Sequence, residues 1–274
     1  MFNPGNPFDS FLVIPILNAL VAVYKLILFF KLPGAFGLAL IVLTALIRVA
    51  LNPLMVTQLK SAHKLSKLKP ELDRLSEKHK DDKNRLHQEQ LKLYQEAGIN
   101  PAAGCLPLLI QMPILLGLYN LFFKLLSNTN LVQVTKEINS VLYTPFLKIS
   151  TINLSFFGMD LAHKPSDWSK YGIWLLLVPV VTALLQYLQT RMMTPKTPQT
   201  ALKKVEDEKN KEKKEDMGTA MQKQMAIMMP LMIGFFSYSF PLGLSIYWNT
   251  FTIFGIIQQR QLNKIMEKEN EEKR

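Results

Sequence analysis

Long apolar runs separated by charged stretches dominate the pattern of residues along the chain. Uncharged runs cover 32–47, 97–123, 171–190 and 224–259. A membrane-spanning helix needs about 20 mostly apolar residues, and each run comes near or above that length. The pattern therefore predicts an all-α membrane protein that crosses the bilayer several times.

The predicted architecture is a five-span helical bundle core with an N-terminal interfacial helix and a cytoplasmic helical hairpin. Pro241 and Gly243 favour a turn that divides the last apolar run into two spans. In chain order the predicted segments are the interfacial segment 1–35, the first transmembrane helix 36–57, the cytoplasmic hairpin 58–98, the second transmembrane helix 99–125, the extracytoplasmic loop 126–169, the third transmembrane helix 170–191, the cytoplasmic basic loop 192–223, the hairpin of the fourth and fifth transmembrane helices 224–262, and the cytoplasmic tail 263–274.

The apolar segment 10–31 has two interpretations. Its apolar residues are interrupted by Pro15, Asn18, Lys25 and Lys31. We predict a helix that lies along the membrane surface, where a lysine can extend to the headgroups. A spanning helix is the alternative, and it would move the N-terminus to the cytoplasmic side without changing the rest of the topology.

The segment 58–98 has the pattern of a helical hairpin outside the membrane. Leucines and an alanine recur at three- and four-residue steps from Leu59 to Leu75. Asp81 and Asp82 interrupt the pattern, after which it resumes until Gly98, a residue typical of helix C-termini.

Charge assigns a side of the membrane to each loop. The chain is 49% hydrophobic and 19% charged, with a formal net charge of +11. The basic residues flank the apolar runs, and an excess of Lys and Arg marks the cytoplasmic side. The segments 58–98, 192–223 and the C-terminus are therefore predicted to be cytoplasmic, and no nucleic-acid specificity is expected.

Arg48 is the strongest candidate for a functional residue, because it is a charged group inside a predicted span. Thr44 precedes it and Asn52 follows it at helical spacing on the same face. The other spans carry similar polar stripes. The candidate site residues are Arg48, Thr44, Asn52, Gln111, Gln186, Gln189, Trp248 and Asn249.

These stripes have three interpretations. Arg48 could extend to the cytoplasmic headgroups, or the polar faces could bond one another between helices. We favour a hydrated, positively charged cavity, because the predicted spans contain no Asp or Glu to neutralise the guanidinium. The sequence has no pattern for a catalytic, cofactor or metal site, so we do not expect an enzyme.

Three segments carry a resemblance to a known family. They are IRVALNPLMVTQLKSAHKLSKLKPELDRL, LYQEAGINPAAGCLPLLIQMPILLGLYNLF and PLGLSIYWNTFTIFGIIQQ. The chain resembles the YidC/Oxa/Alb family of membrane-protein insertases over about 10–262, and the pattern from Asn100 to Ile114 is distinctive. The resemblance implies that Arg48 lies in a hydrophilic groove open to cytoplasm and lipid, where polar segments of nascent membrane proteins bind. It also implies that the hairpin recruits these substrates.

We expect the chain to depart from larger members of that family, without a large extracytoplasmic domain before the core and with a short C-terminal tail. A minimal bacterial form in the plasma membrane, acting as a monomer, is expected. A secretion channel and the ribosome are open as further partners. Two rival functions are a small-solute transporter and an assembly chaperone that receives helices already inserted by another machine.

Overall fold

A computed structural model describes residues 2–80, 82–98, 106–127, 130–193 and 217–271. Most of the basic loop 192–223, the end of the tail and the first residues of the second predicted span, with part of the motif from Asn100 to Ile114, lie outside these ranges. The described part is mostly helical. This agrees with the predicted fold class.

Eleven helices and one pair of short strands make up the described chain, besides isolated 3-10 turns. The helices are α1 (Ile14–Phe29, directly preceded by a π-helical turn at Asp9–Val13), α2 (Ala35–Ala50), α3 (Asn52–Lys67), α4 (Lys69–Lys78), α5 (Lys83–Glu96), α6 (Leu106–Ser127), α7 (Leu131–Ser140), α8 (Trp168–Tyr171), α9 (Leu177–Met193), α10 (Met217–Ser239) and α11 (Leu242–Glu271). The strands β1 (Ser155–Phe156) and β2 (Met159–Asp160) pair antiparallel.

Helix α11 packs against several other helices. This helix contacts α2, α6 and α9, and α9 also packs along α10. On the other side of the bundle α1 packs against α2, and the π-helical turn packs against α6. In the stretch 58–98, α4 and α5 contact each other.

The apolar core lies where α1, α2, α6 and the segment after α7 meet. Tyr24, Phe36 and Phe122 form edge-to-face ring pairs with centroids 5.7 and 6.2 Å apart. Leu161 and Leu175 extend this core toward the start of α11 and are fully buried. Burial of these side chains holds the segment 141–175 against the helices that form this core.

The start of α11 is bonded to the segment that follows β2. The backbone N–H of Leu242 donates to the carbonyl of His163 at 2.9 Å, and that of Gly243 donates to the carbonyl of Leu161 at 3.0 Å. These contacts satisfy donors that a helix N-terminus leaves without intrahelical partners. They fix the start of α11 at one end of the bundle. Arg48 lies in the last turn of α2, toward the opposite end.

Within the described ranges, two helical stretches are long and apolar enough to cross a membrane, Asp9–Phe29 and Ile173–Met192. The first is the segment for which we predicted a surface helix. Ala35–Ala50, Met112–Phe123 and Ala226–Ser239 are shorter apolar helices within the first, second and fourth predicted spans. The five-span topology and the sides of the loops therefore stay predictions.

The outer surface of α9 and α10 is strongly apolar. Leu177 of α9 and Leu231 of α10 are 63% and 64% exposed, and Phe235 is 69% exposed. Only 11% of the Ile173–Met192 window is buried inside the protein. Such a continuous apolar surface is typical of helices that face lipid.

Candidate functional site

Arg48 is buried and joins α2 to α11. Its side chain is 3% exposed. Nη1 donates to Oε1 of Gln258 at 3.1 Å, and Nη2 donates to the carbonyl oxygen of Phe251 at 2.6 Å. The guanidinium carbon also lies 3.4 Å from the centroid of the Phe251 ring, where a cation–π interaction is favourable. Both bonds run between helices, as the interhelical interpretation expects.

These contacts leave the charge of Arg48 without a carboxylate partner in the described part of the chain. A guanidinium has five N–H donors, and its contacts with Gln258 and Phe251 use two of them. The buried Nε has no hydrogen-bond partner among the described residues. A buried cation in this condition favours an anionic or polar ligand.

A polar path leads from Arg48 to the protein surface. Nε2 of Gln258 donates to Oδ1 of Asn52 at 2.9 Å. Asn52 is exposed at the start of α3, and Gln258 is partly buried between it and Arg48. The buried guanidinium is therefore connected to an exposed amide through a single side chain.

Gln189 reaches the same place from α9. A β-carbon built on Gly255 of α11 would overlap Nε2 of Gln189 and would lie 2.8 Å from Nη2 of Arg48. The absence of a side chain at Gly255 thus lets α2 and α9 bring their polar groups against the same turn of α11.

Gln186 and Trp248 form a second polar contact between α9 and α11. The indole Nε1 of Trp248 donates to Oε1 of Gln186 at 3.3 Å. Thr44 is buried, and its hydroxyl donates within α2 to the carbonyl of Leu40 at 2.6 Å. It contributes a polar position on the inner face of α2 but no bond to another helix in the described part of the chain.

Asn249 lies beside a cavity of about 240 Å³ between α9 and α11. Val178 and Ile246 are among its mostly apolar lining residues. The buried Oδ1 of Asn249 has no hydrogen-bond partner among the described residues. Gln111 lies in α6, but its side chain is outside the described part of the structure.

A cluster of three hydroxyls joins α9, α10 and α11 near the turn between α10 and α11. The oxygen of Ser237 is 3.3 Å from that of Thr182 and 3.1 Å from that of Ser245. All three side chains are buried. These bonds hold the last three helices together, as polar residues do within membrane bundles.

Three contributors to the Arg48 site were not predicted from the sequence. Gln258 lies at the end of the last apolar run, where an amide has the ordinary interpretation of an interfacial residue. Phe251 contributes its backbone carbonyl and its ring, and Gly255 contributes space. Of the three, only Gln258 could have been identified from the sequence. It follows Trp248 and Phe251 at helical spacing on the same side of α11.

The described structure has the features of an integral membrane protein with a buried cationic site among its helices. The family profile described as 60Kd inner membrane protein matches residues 28–270. The chain belongs to this family, which is the YidC/Oxa family and thus confirms the resemblance noted in the sequence.

Curated relatives named membrane protein insertase YidC match most of the chain. The protein of Rickettsia felis is 31% identical over 246 residues, or 88% of this chain. Those of Rickettsia akari and Rickettsia typhi are 30% and 28% identical over the same length. The chain spans 38% of the length of these relatives.

Proposed function

We propose that the chain is a membrane-protein insertase of the plasma membrane, which binds polar segments of nascent membrane proteins at Arg48 and releases their apolar segments to lipid. The observation that carries the proposal is the buried guanidinium without a carboxylate partner in the described part of the chain. The names of the relatives support the same class of function.

The arrangement of polar and apolar surfaces supports a path for the substrate. A polar segment would enter at the exposed Asn52, pass Gln258 and reach Arg48. The apolar segment that follows would move into lipid along the exposed apolar faces of the helices. Transfer of apolar surface out of water favours this step by about 25 cal/mol per Å².

The membrane potential would assist an acidic segment. Moving one negative charge outward is favoured by about 2.3 kcal/mol per 100 mV. Neither the transfer of apolar surface to lipid nor the effect of the membrane potential needs nucleotide hydrolysis. The proposed topology places three segments in the cytoplasm: the hairpin 58–98, the basic loop 192–223 and the C-terminus. The hairpin recruits substrates. The active unit is a monomer. A secretion channel or a ribosome is an optional partner.

Insertion into liposomes tests the proposal directly. The purified protein is reconstituted, and insertion of a short single-span substrate is measured as protease protection. A hydrogen bond to a charged group is worth about 1.5–3 kcal/mol, so Arg48→Ala should slow insertion about ten- to hundredfold. Arg48→Lys keeps the charge and should retain much of the activity.

Arg191→Ala is the matched control, because Arg191 is exposed at the end of α9. It should insert the substrate like the unchanged protein. Failure of the folded, unchanged protein to exceed protein-free liposomes would contradict the insertase function and favour a transporter. Crosslinking only to substrates already inserted by another machine would favour the assembly chaperone.

A further inference from the structure

The cavity beside Asn249, between α9 and α11, has no role in the proposed insertion path. Its volume is about 240 Å³, and its lining residues include neither Arg48, Phe251 nor Gln258. Asn249 and Ser245 are polar, and the other lining residues are mostly apolar. This space, called the Asn249 cavity below, is therefore a second candidate site with a different chemical character.

The amide of Asn249 is the polar group of this cavity that still lacks a partner. Its buried Oδ1 has no hydrogen-bond partner among the described residues. Leaving a buried acceptor unpaired is costly in a protein interior. The hydroxyl oxygen of Ser245, by contrast, lies 3.1 Å from that of Ser237 and is paired with it. A ligand in the cavity would therefore bond to Asn249.

A hydroxyl group suits this amide better than a charged group does. Half a turn about the Cβ–Cγ bond exchanges the amide oxygen and nitrogen, so either atom can face the cavity. A hydroxyl can donate to the oxygen or accept from the nitrogen. A charged ligand would lose its hydration beside apolar residues such as Val178 and Ile246, and none of the lining residues is charged. The lining thus selects an uncharged ligand with a hydroxyl.

The cavity can be reached from the apolar outer surface of α9. Leu177 and Val181 both line it, and they are 63% and 46% exposed. They belong to the mostly unburied stretch Ile173–Met192, whose apolar surface is typical of a helix that faces lipid. A molecule dissolved among the lipid tails can therefore enter the cavity beside these two residues.

The size of the cavity limits the ligand to a small molecule. An apolar cavity of about 150 Å³ in another protein holds one benzene ring, so about 240 Å³ accommodates a ring with a small substituent. The bond from Trp248 to Gln186 joins α9 and α11. The backbone bond from Leu242 to His163 ties the start of α11 to the segment after β2. A polypeptide helix could not enter between α9 and α11 without breaking such contacts.

We propose that the Asn249 cavity binds a small, lipid-soluble alcohol or phenol that enters from the bilayer. The apolar body of the ligand packs against Val178 and Ile246, and its hydroxyl bonds to the amide of Asn249. The occupant is a molecule dissolved in the membrane, not a side chain of another polypeptide. The proposal does not depend on the insertase function, because it concerns residues outside the contacts of Arg48.

Photolabelling of the full chain in lipid nanodiscs tests this site. One probe is a phenol that carries a photoreactive diazirine, and the other has a methyl group in place of the hydroxyl. Probe concentrations are expressed within the bilayer, so that differences in partitioning cancel, and adducts are located by mass spectrometry. Both probes should label lining residues in a saturable way. The phenol should reach half-saturation at a concentration about two- to tenfold lower, the ratio that one neutral hydrogen bond supplies.

Asn249→Leu tests the role of the amide. Leucine has a similar size but no polar group, so the two probes should now reach half-saturation at the same concentration. The matched control is Asn120→Leu, which makes the same chemical change on α6, outside the cavity lining. It should keep the preference for the phenol. An equal loss of preference in both variants would overturn the role of Asn249.

Val178→Phe tests the cavity itself. The larger side chain fills the space from α9 and should remove saturable labelling by both probes. Val180→Phe makes the same change at an exposed position of α9 that does not line the cavity, and it should leave labelling unchanged. Circular dichroism shows whether each variant is folded. A folded Val178→Phe protein that is still labelled saturably would overturn the site, and if this variant does not fold, the comparison of Asn249→Leu with Asn120→Leu decides.

Competition identifies the kind of occupant. An excess of 4-methylphenol should suppress labelling by the phenol probe. A hydrophobic single-span peptide with one tyrosine carries the same ring and hydroxyl, and it should not compete. Equal suppression by the peptide would assign the cavity to polypeptide side chains and overturn the proposal. Labelling that never saturates and occurs only at exposed residues such as Leu177 would show that the probe merely dissolves in lipid, which would also overturn it. Neither result would affect the insertase function, which the liposome assay tests separately.

Discussion

At the scale of single residues, buried amides connect parts of the chain that are far apart in sequence. Asn18 of α1 is 4% exposed. Its Nδ2 donates to the carbonyls of Ile14 and Val141, and its Oδ1 accepts from the backbone N–H of Tyr143 at 2.8 Å. One side chain thus bonds α1 to two backbone groups of the segment after α7.

Replacing Asn18 should destabilise the protein measurably. Asn18→Ala removes the side-chain hydrogen bonds to Val141 and Tyr143, and each such bond is worth about 0.5–1.5 kcal/mol. In detergent the thermal midpoint should fall by several degrees, as monitored by circular dichroism. Asn84→Ala changes an exposed asparagine of α5 and should have no such effect. Equal midpoints for the two variants would contradict the structural role of Asn18.

The polar side chains of the Arg48 site show how far single residues can be predicted from sequence. The spacing of Arg48 and Asn52 predicts one face of a helix, and both contact Gln258 of α11. The role of Phe251 could not be predicted, because every residue has a backbone carbonyl and the sequence does not indicate which one accepts from Arg48. Its use depends on the distance between α2 and α11, which periodicity does not encode.

At the scale of elements, the β1–β2 hairpin is held by a small notch in α2. A β-carbon on Gly34 or Gly37 would press into the ring of Phe156. Gly34 also has a φ of +70°, which a side chain would disfavour. The two glycines let the aromatic ring lie directly on the start of the helix.

Gly37→Ala tests this contact. Alanine improves helix propensity by about 1 kcal/mol, but overpacking against the ring costs about 1–3 kcal/mol. We expect net destabilisation, measured as a lower midpoint of thermal unfolding. In the background of Phe156→Ala the same substitution should be neutral or stabilising. An equal effect in both backgrounds would show that the two residues do not interact.

Element boundaries followed the sequence where proline or glycine marked them. The predicted turn at 240–243 corresponds to the end of α10 at Ser239 and the start of α11 at Leu242. Gly98 lies just after α5 with a φ of +61°. The strands could not be predicted, since each has two residues and their turn places Phe157, rather than the usual Asn, at a positive φ.

At the scale of the whole molecule, the position of α1 bears on the topology. The stretch Asp9–Phe29 has 21 residues, about 31 Å at 1.5 Å per residue, enough to cross the hydrocarbon core. Asn18 lies near its middle, however, and bonds to Val141 and Tyr143. Lys25 also donates to the carbonyls of Phe146 and Lys148.

These bonds favour the surface helix over the spanning one. If α1 crossed the bilayer, its midpoint and the segment beginning at Val141 would both lie near the bilayer centre. That segment holds irregular backbone and the lysine Lys148, which are costly there. A helix along the extracytoplasmic surface lets the same bonds form at the interface, and it leaves the N-terminus outside.

Cysteine labelling tests this topology for the whole chain. The only cysteine, Cys105, is replaced by serine, and single cysteines are introduced as Asn6→Cys, Ser155→Cys and Asn84→Cys at exposed positions. In intact spheroplasts a membrane-impermeant maleimide should label positions 6 and 155, because the proposed topology places both on the outer side. Position 84 should react only after permeabilisation, because the proposed topology places the segment 58–98 in the cytoplasm. Labelling at 155 without labelling at 6 would mean that α1 spans the membrane. Labelling at 84 alone would mean that the bundle has the opposite orientation. The polar path from Asn52 to Arg48 would then lie on the wrong side for substrates made in the cytoplasm.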